Sequence, residues 1–199
     1  MSKTMTNTRK MVLIAIFSAM GYVLMLLDFP LAFLIPSFIK FDFSELPALI
    51  CAFAAGPWAG VAVCLFKNAI HLLNTSTLCV GELANFLLGA AFVLPAGLIY
   101  KYNRTKKGAL LGMLVGAAVS SIISLPINLF ITYPFYINVM NFPENAILGM
   151  YRAIAGWVKN LPQAILTFNV PFNFLKYGVD AAITFVIYKR ISPILQGRK

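Results

Sequence analysis

Polar and ionisable side chains interrupt several long apolar stretches of the sequence. In one stretch, Asn173, Lys176 and Asp180 follow one another at spacings of three and four residues, so a helix would present all three on one face. Such side chains are energetically costly inside a membrane and usually mark a binding site or an ion path. The pattern therefore predicts a polar site among apolar helices.

Three other apolar stretches carry polar residues near one end. The polar residues are Ser44 and Glu45 in the first of these stretches, Lys67, Asn68 and His71 in the second, and Glu82 and Asn85 in the third. If the stretches are helices that alternate across a bilayer, these residues fall at one depth near the outer face. Amides together with charges of both signs suit a neutral, polar organic molecule with carbonyl and hydroxyl groups. We therefore predict a ligand pocket that contains Glu45, Lys67, Glu82, Asn85, Asn173 and Lys176.

A purely structural interpretation remains open for each of these residues. Ser44 and Glu45 also fit the start of a helix, where a short polar side chain and an acid are favourable. Lys176 and Asp180 also fit a pair that compensates its own burial. The aromatic residues nearby are able to stack on a planar ring or to form a belt at the membrane surface; they are Phe41, Phe43, Tyr133, Phe135, Tyr136, Phe168 and Phe172.

The residue set describes a binding protein better than a catalyst. Cys51, Cys64 and Cys79 show no C-x-x-C spacing, and with His71 as the single histidine we predict neither a metal centre nor a resident cofactor. The sequence has no phosphate-binding loop of the G-x-x-x-x-G-K-[ST] type and no nucleophile elbow. A membrane-embedded enzyme that modifies lipids remains an alternative, for which Glu45 and Glu82 are the available carboxylates.

Composition places the chain in a membrane. Of its 199 residues, 60% are hydrophobic and 11% are charged, whereas a soluble domain is about half apolar and about a quarter charged. The net charge of +10 would fit a nucleic-acid binder, but the basic residues form short clusters between apolar stretches, as in cytoplasmic loops of membrane proteins. These clusters are Lys3, Arg9 and Lys10; Lys101, Arg104, Lys106 and Lys107; and Lys189, Arg190, Arg198 and Lys199. We predict no nucleic-acid partner.

The apolar stretches predict an all-α integral membrane protein with six transmembrane helices in a single domain, 1–199. Their ranges are 10–27, 45–55, 58–74, 81–100, 108–134 and 170–189. A turn at Gly56-Pro57 separates the second helix from the third, because Gly-Pro is a strong breaker. Six helices also leave both termini and the basic segment 101–107 in the cytoplasm. The outer segments are then 28–44, 75–80 and 135–169; the last is expected to be irregular, with a short surface helix at 146–159.

The first helix carries Ala15 and Ala19, a pair of small residues one turn apart. Small residues at this spacing let another helix approach closely. The pair predicts either internal packing or docking to a separate membrane subunit.

Several strings resemble a known family, the substrate-binding S components of energy-coupling factor (ECF) vitamin transporters, and among them the riboflavin-specific branch. They are Phe41-Asp42-Phe43-Ser44-Glu45-Leu46-Pro47; Gly56-Pro57 with Gly60; Lys67-Asn68 with His71-Leu72-Leu73; Gly81-Glu82-Leu83-Ala84-Asn85-Phe86; and Asn169-x-Pro171-Phe172-Asn173-x-x-Lys176. Ala15-x-x-x-Ala19 matches the A-x-x-x-A motif of the family's first helix. The resemblance extends over residues 9 to 190 or so.

The resemblance implies a fold of six helices with both termini in the cytoplasm of the cell, in the plasma membrane. It implies high-affinity riboflavin binding at the outer side and docking, through Ala15 and Ala19, on a T component that carries two ATPase subunits. Asn173 and Lys176 would bond the flavin or its ribityl chain. Glu82 and Asn85 are further candidates, and Asn138 and Asn141 are candidates by their position in the outer loop. An S component for another vitamin, such as thiamine, is the alternative within this family.

Overall fold

The computed structural model describes the backbone of residues 6–195 and the side chains of residues 6–187. Within this part the chain forms nine α-helices: α1 (Asn7–Leu26), α2 (Glu45–Ala55), α3 (Pro57–His71), α4 (Val80–Tyr102), α5 (Lys106–Ile127), α6 (Tyr133–Asn138), α7 (Glu144–Ile154), α8 (Leu161–Ala164) and α9 (Val170–Leu195). Two strands of two residues each, β1 (Phe29–Pro30) and β2 (Lys40–Phe41), pair in antiparallel fashion. The basic residues Lys3, Arg198 and Lys199 lie outside the described residues.

The predicted all-α class is confirmed, apart from the short ladder of β1 and β2. Four helical stretches of the described residues are long and apolar enough to cross a membrane: Asn7–Leu26, Val80–Tyr102, Lys106–Asn138 and Leu161–Ile187. The helix α2 is apolar but has 11 residues, which give a length of about 17 Å against a hydrocarbon core of about 30 Å.

The turn between α2 and α3 lies at Gly56-Pro57, where the sequence predicts it. Gly56 has φ of 102°, a backbone conformation that side chains with a Cβ rarely adopt. Pro57 occupies the first turn of α3, where its missing N–H leaves no hydrogen bond unmade. Helix α2 is buried along most of its length and packs against α1, α3, α4 and α9. The bundle therefore covers the helix that is too short to span the bilayer.

The prediction that segment 135–169 is irregular is wrong for most of its length. Helix continues from α5 through a π-helical turn, Asn128–Thr132, into α6, so that Lys106–Asn138 is one stretch of 33 residues. Likewise α8 continues through a second π-helical turn, Ile165–Asn169, into α9. Proline was the misleading signal, because Pro162 lies in the first turn of α8, where a proline is tolerated. The helix predicted at 146–159 is α7, which begins and ends earlier, at Glu144 and Ile154.

Two hydrophobic clusters build the interior. The inner cluster joins α2, α3, α4, α5 and α9 and includes the fully buried Leu49, Val63 and Phe92. The outer cluster joins segment 31–43 with α6, α7 and α8 and includes Ile35 and Ile147. Helix α7 belongs to it because Ile147, Leu148 and Tyr151 share one buried face.

We expect Gly56→Ala to destabilise the protein by about 1–3 kcal/mol, because the added Cβ forces a strained backbone conformation at φ of 102°. No atom lies within 4 Å of the Cβ position at Gly56, so steric overlap does not contribute. Gly149→Ala is the matched control, since Gly149 lies in α7 and its Cβ position is equally open. That control should be neutral or stabilising by up to about 1 kcal/mol. Thermal unfolding in detergent measures both, and equal effects of the two substitutions would contradict the strained turn.

Candidate ligand-binding site

A cavity of about 480 Å³ opens at one end of the helix bundle. It is bounded by the end of α1, segment 28–42, the end of α3, the first turns of α4, the π-helical turn that follows α5 and the beginning of α9. Because α4 begins at the cavity and α5 returns to it, the link 103–105 between them lies at the opposite end of the bundle. Phe38 and Phe172 from the outer cluster and Leu88 and Tyr177 from the inner cluster line it, so the cavity lies between the two hydrophobic clusters.

A buried ion pair lies below this cavity. The Lys67 Nζ atom is 2.6 Å from Glu45 Oε1, and both side chains are fully buried. Lys67 also donates to the Ser44 hydroxyl, which in turn donates to Glu45 Oε2 at 3.2 Å. Helix α1 packs directly on the pair, because a Cβ at Gly21 would meet Lys67 Cδ and the Ser44 carbonyl oxygen at 3.2 Å each. The pair therefore ties α1, α2 and α3 together.

A second ion pair continues this cluster up to the cavity wall. Lys176 Nζ donates to Asp42 Oδ2 at 2.8 Å and lies 3.6 Å from Glu45 Oε2. Asp42 Oδ1 accepts from the Ser44 backbone N–H at 2.8 Å. Burial by itself would raise the pKa of Asp42, but the ammonium groups of Lys176 and Lys67 outweigh it and hold that pKa well below its ordinary value. Two cations and two carboxylates thus compensate one another in the buried interior.

The opposite wall is built around the carboxylate of Glu82. Its Oε2 atom accepts hydrogen bonds from Thr75 at 3.0 Å and Thr77 at 3.2 Å, and its Oε1 atom lies 2.9 Å from His71 Nδ1. Asn85 follows one turn later on α4 and also faces the cavity. Three partners hold the Glu82 carboxylate in place, so a ligand meets a fixed acceptor on this side.

Amide and hydroxyl groups complete the wall between these two charged regions. Asn128 and Thr132 come from the first π-helical turn, and Asn169 comes from the second. Asn173 follows on α9 and donates from Nδ2 to the Asn169 carbonyl oxygen at 2.8 Å. Single π-helical turns are rare and are frequent at functional sites. Both such turns of the described residues border the same cavity.

The model of one protein family, the substrate-specific component of ECF transporters, matches residues 9–188. The chain belongs to this family. The riboflavin transporter RibU of Staphylococcus aureus (strain TCH60) is 33% identical over 192 residues, which cover 96% of this chain and 95% of that protein. The riboflavin transporter FmnP of Bacillus subtilis (strain 168) is 28% identical over 196 residues, which cover 97% of this chain and 97% of that protein.

The fold is also that of a solved S component. A structure of the S component of a bacterial ECF transporter superposes with a TM-score of 0.74 and 31% sequence identity, over 96% of this chain and 99% of that chain. This S component is therefore a multi-pass membrane protein, and its family and these relatives are transporters rather than enzymes.

The structure sorts the residues that the sequence singles out into four groups. Glu82, Asn85, Asn173 and Lys176 line the cavity of this S component. Glu45 and Lys67 lie directly behind the wall, where they hold Ser44 and approach Lys176. Asn138 and Asn141 are exposed and do not line the cavity. Ala15 and Ala19 are exposed on α1.

The alternative that Lys176 pairs with Asp180 is wrong. Lys176 pairs with Asp42, and the Asp180 carboxylate is fully buried without a hydrogen-bond partner among the described residues. Sequence spacing favoured the wrong partner, because it reveals neighbours on one helix but no contact with a distant segment.

Asp42, Asn128 and Asn169 are among the lining residues that were not predicted from the sequence. Asp42 and Asn169 stand inside the strings that carry the family resemblance, and Asn128 is an amide near the end of an apolar stretch. The general rule that intramembrane amides mark sites would have selected Asn128. Among residues 6–187, no three His, Cys, Asp or Glu side chains come together as a metal site would require.

We expect Lys67→Met to destabilise the protein by about 3–5 kcal/mol, because it leaves the Glu45 carboxylate buried without its closest cation. The double variant Glu45→Gln/Lys67→Met removes both charges and should recover most of this loss. Lys40→Met serves as the control, since the pair of Lys40 and Asp28 is exposed at 49% and 26% and should contribute about 1 kcal/mol or less. Thermal unfolding of the ligand-free protein in detergent measures all three. A double variant as unstable as Lys67→Met would contradict the compensation.

Proposed function

We propose that this S component binds riboflavin with high affinity at the outer face of the plasma membrane and mediates its uptake with an ATP-driven module. The relatives named above are riboflavin transporters. The observation that carries the proposal is the cavity wall, in which amides, hydroxyl groups and charged groups of both signs surround a space of about 480 Å³.

Riboflavin matches the chemistry of this wall. It is uncharged at neutral pH, and it combines a planar ring that carries carbonyl groups with a flexible chain of hydroxyl groups. Lys176 and Asp42, like Lys67 and Glu45 behind them, compensate each other's charge, so neither lysine is left to attract an anionic ligand. Asn85, Asn169 and Asn173 offer both donors and acceptors, and Phe172 and Tyr136 add aromatic surface.

The distribution of basic residues supports an opening toward the outside. Arg9, Lys101 and Lys106 lie at or near the ends of α1, α4 and α5 that are remote from the cavity. Cytoplasmic loops of membrane proteins are enriched in Lys and Arg. With α2 and α3 counted as short crossings, the chain crosses the membrane six times and both termini lie in the cytoplasm.

ATP-driven uptake requires a partner that binds ATP, because the sequence has no phosphate-binding loop of the G-x-x-x-x-G-K-[ST] type. The partners proposed here are the T component and the two ATPase subunits of an ECF transporter. Helix α1 is the proposed docking element. It exposes Ala15 and Ala19 and keeps Ser18, Gly21 and Met25 buried against the bundle. Small exposed side chains let a partner helix approach closely.

We expect Asn173→Ala and Lys176→Ala to weaken riboflavin binding about tenfold to a hundredfold, as the loss of one hydrogen bond to a polar or charged group predicts. Asn85→Ala should also weaken riboflavin binding, and this substitution breaks no buried ion pair. Asn145→Ala, on the exposed side of α7, is the matched control and should leave affinity unchanged. Quenching of riboflavin fluorescence on titration with purified protein gives the affinities, with thiamine as a competitor that should have no effect. A wild-type protein that quenches no riboflavin fluorescence would refute the proposed ligand.

We expect Ala15→Trp and Ala19→Trp to abolish riboflavin uptake and to leave binding by the isolated protein intact. The reason is that an indole ring on the exposed face of α1 prevents close helix packing. Ile122→Trp on α5 is the control, because Ile122 is also exposed toward lipid and lies outside the proposed docking face. Uptake of labelled riboflavin by cells that also express the ATPase module distinguishes the variants. Normal uptake with either alanine replaced would rule out docking through this face.

A further inference from the structure

A closed ring of hydrogen bonds lies beside the cavity. The hydroxyl groups of Tyr133 and Tyr151 are hydrogen-bonded to each other. Tyr151 donates to Asn169 Oδ1 at 2.5 Å, and Asn169 Nδ2 donates to the Tyr133 hydroxyl at 3.1 Å. All three residues are at most 2% exposed. The ring is therefore shielded from water.

The direction of each hydrogen bond follows from the chemistry of the amide. Its nitrogen only donates and its oxygen only accepts. With Asn169 Nδ2 donating to Tyr133, the Tyr133 hydroxyl donates to Tyr151, and Tyr151 donates to Asn169 Oδ1. Each hydroxyl thus donates once and accepts once, an arrangement in which hydrogen bonds strengthen one another. The ring uses one of the two hydrogens on the Asn169 amide nitrogen and leaves the second available.

The ring joins three elements, and one of its three residues lines the ligand site. Tyr133 begins α6, Tyr151 lies in α7, and Asn169 ends the π-helical turn before α9. Asn169 lines the cavity, whereas Tyr133 and Tyr151 do not. Tyr133 also packs edge-on against Phe38 and Tyr136, which do line it. The two tyrosines are therefore placed to act on the site through the Asn169 amide.

Packing alone does not explain the two hydroxyl groups. Burying a hydroxyl is unfavourable unless it is hydrogen-bonded, and phenylalanine would fill almost the same space. Helix α7 is already held by Ile147 and Leu148 in the outer cluster. What the hydroxyl groups add is a fixed orientation of the Asn169 amide plane.

We propose that Tyr133 and Tyr151 are positioning residues that hold the Asn169 amide with its second N–H directed into the cavity, where it donates to a carbonyl oxygen of the flavin ring. This inference rests on riboflavin as the ligand. Without the ring the amide is free to rotate, and the donor is lost although Asn169 is still present. Asn169 is then the residue that contacts the ligand, and the tyrosines act through it.

The test compares Tyr151→Phe, Tyr133→Phe and Asn169→Leu with Tyr102→Phe as the matched control. Tyr102 is 85% exposed at the far end of α4 and lies outside the ring and the cavity. Riboflavin dissociation should be about tenfold faster in the three ring variants, which is the effect of one lost hydrogen bond. The carbonyl stretching band of bound riboflavin, measured by Raman spectroscopy, should move to higher frequency in all three. The control should retain the wild-type rate and band.

Each outcome decides between the explanations. An unshifted carbonyl band in Asn169→Leu would overturn the proposed donation. A shifted band in Asn169→Leu with a wild-type band and dissociation rate in both tyrosine variants would overturn the positioning role. A lower unfolding temperature of the ligand-free tyrosine variants without a spectral change would assign the ring to stability alone. Failure of the wild type to bind riboflavin would instead refute the proposed function, and the two failures are thus distinguishable.

Discussion

The arrangement of the site depends on the mutual compensation of four buried charges. Asp42, Glu45, Lys67 and Lys176 come from four different segments of the chain, and each charge is acceptable in the interior only because the others are present. The cluster fixes segment 28–44 against α9 and fixes α2 against α3, and Gly21 lets α1 rest directly on it. The charges of these four groups sum to zero, so the cluster itself adds no net charge to the cavity wall. The same interaction thus serves the architecture and the chemistry of the site.

Much of the architecture could be predicted from local sequence patterns. Apolar stretches identified the helical class, and Gly56-Pro57 identified a turn that the structure places at the same residues. The expectation that polar residues of membrane helices face a common site is met by four of them. The wall of one cavity contains Glu82, Asn85, Asn173 and Lys176. What could not be predicted is which residues meet across the sequence. Asp42 and Lys176 are 134 residues apart, and a helical spacing favoured Asp180 instead. Proline was also misleading, because it ends some helices and lies at the beginning of others. The prolines of segment 135–169 lie at the beginnings of helices.

The two π-helical turns link the long helices to the site. In each of them the extra residue per turn shifts the helix face that follows, and each turn brings polar side chains to the cavity: Asn128 and Thr132 from one, Asn169 from the other. A regular α-helix through the same residues would place the side chains that follow the turn on a different side of the helix axis. The long helices therefore keep apolar surfaces toward lipid along most of their length and still present amides at one level. The hydrophobic periodicity of the sequence does not predict such a turn.

The closed floor of the cavity determines the route by which a solute leaves. Below Lys176 the interior is filled by the ion pair of Lys67 and Glu45 and then by the inner hydrophobic cluster, so the described residues leave no continuous passage to the far side. A solute that enters must leave by the mouth through which it came. In the proposed role in uptake, release at the other face therefore requires either that this packing open or that the loaded protein move as a whole. The closed floor thus prevents a bound solute from leaking across the membrane between such events.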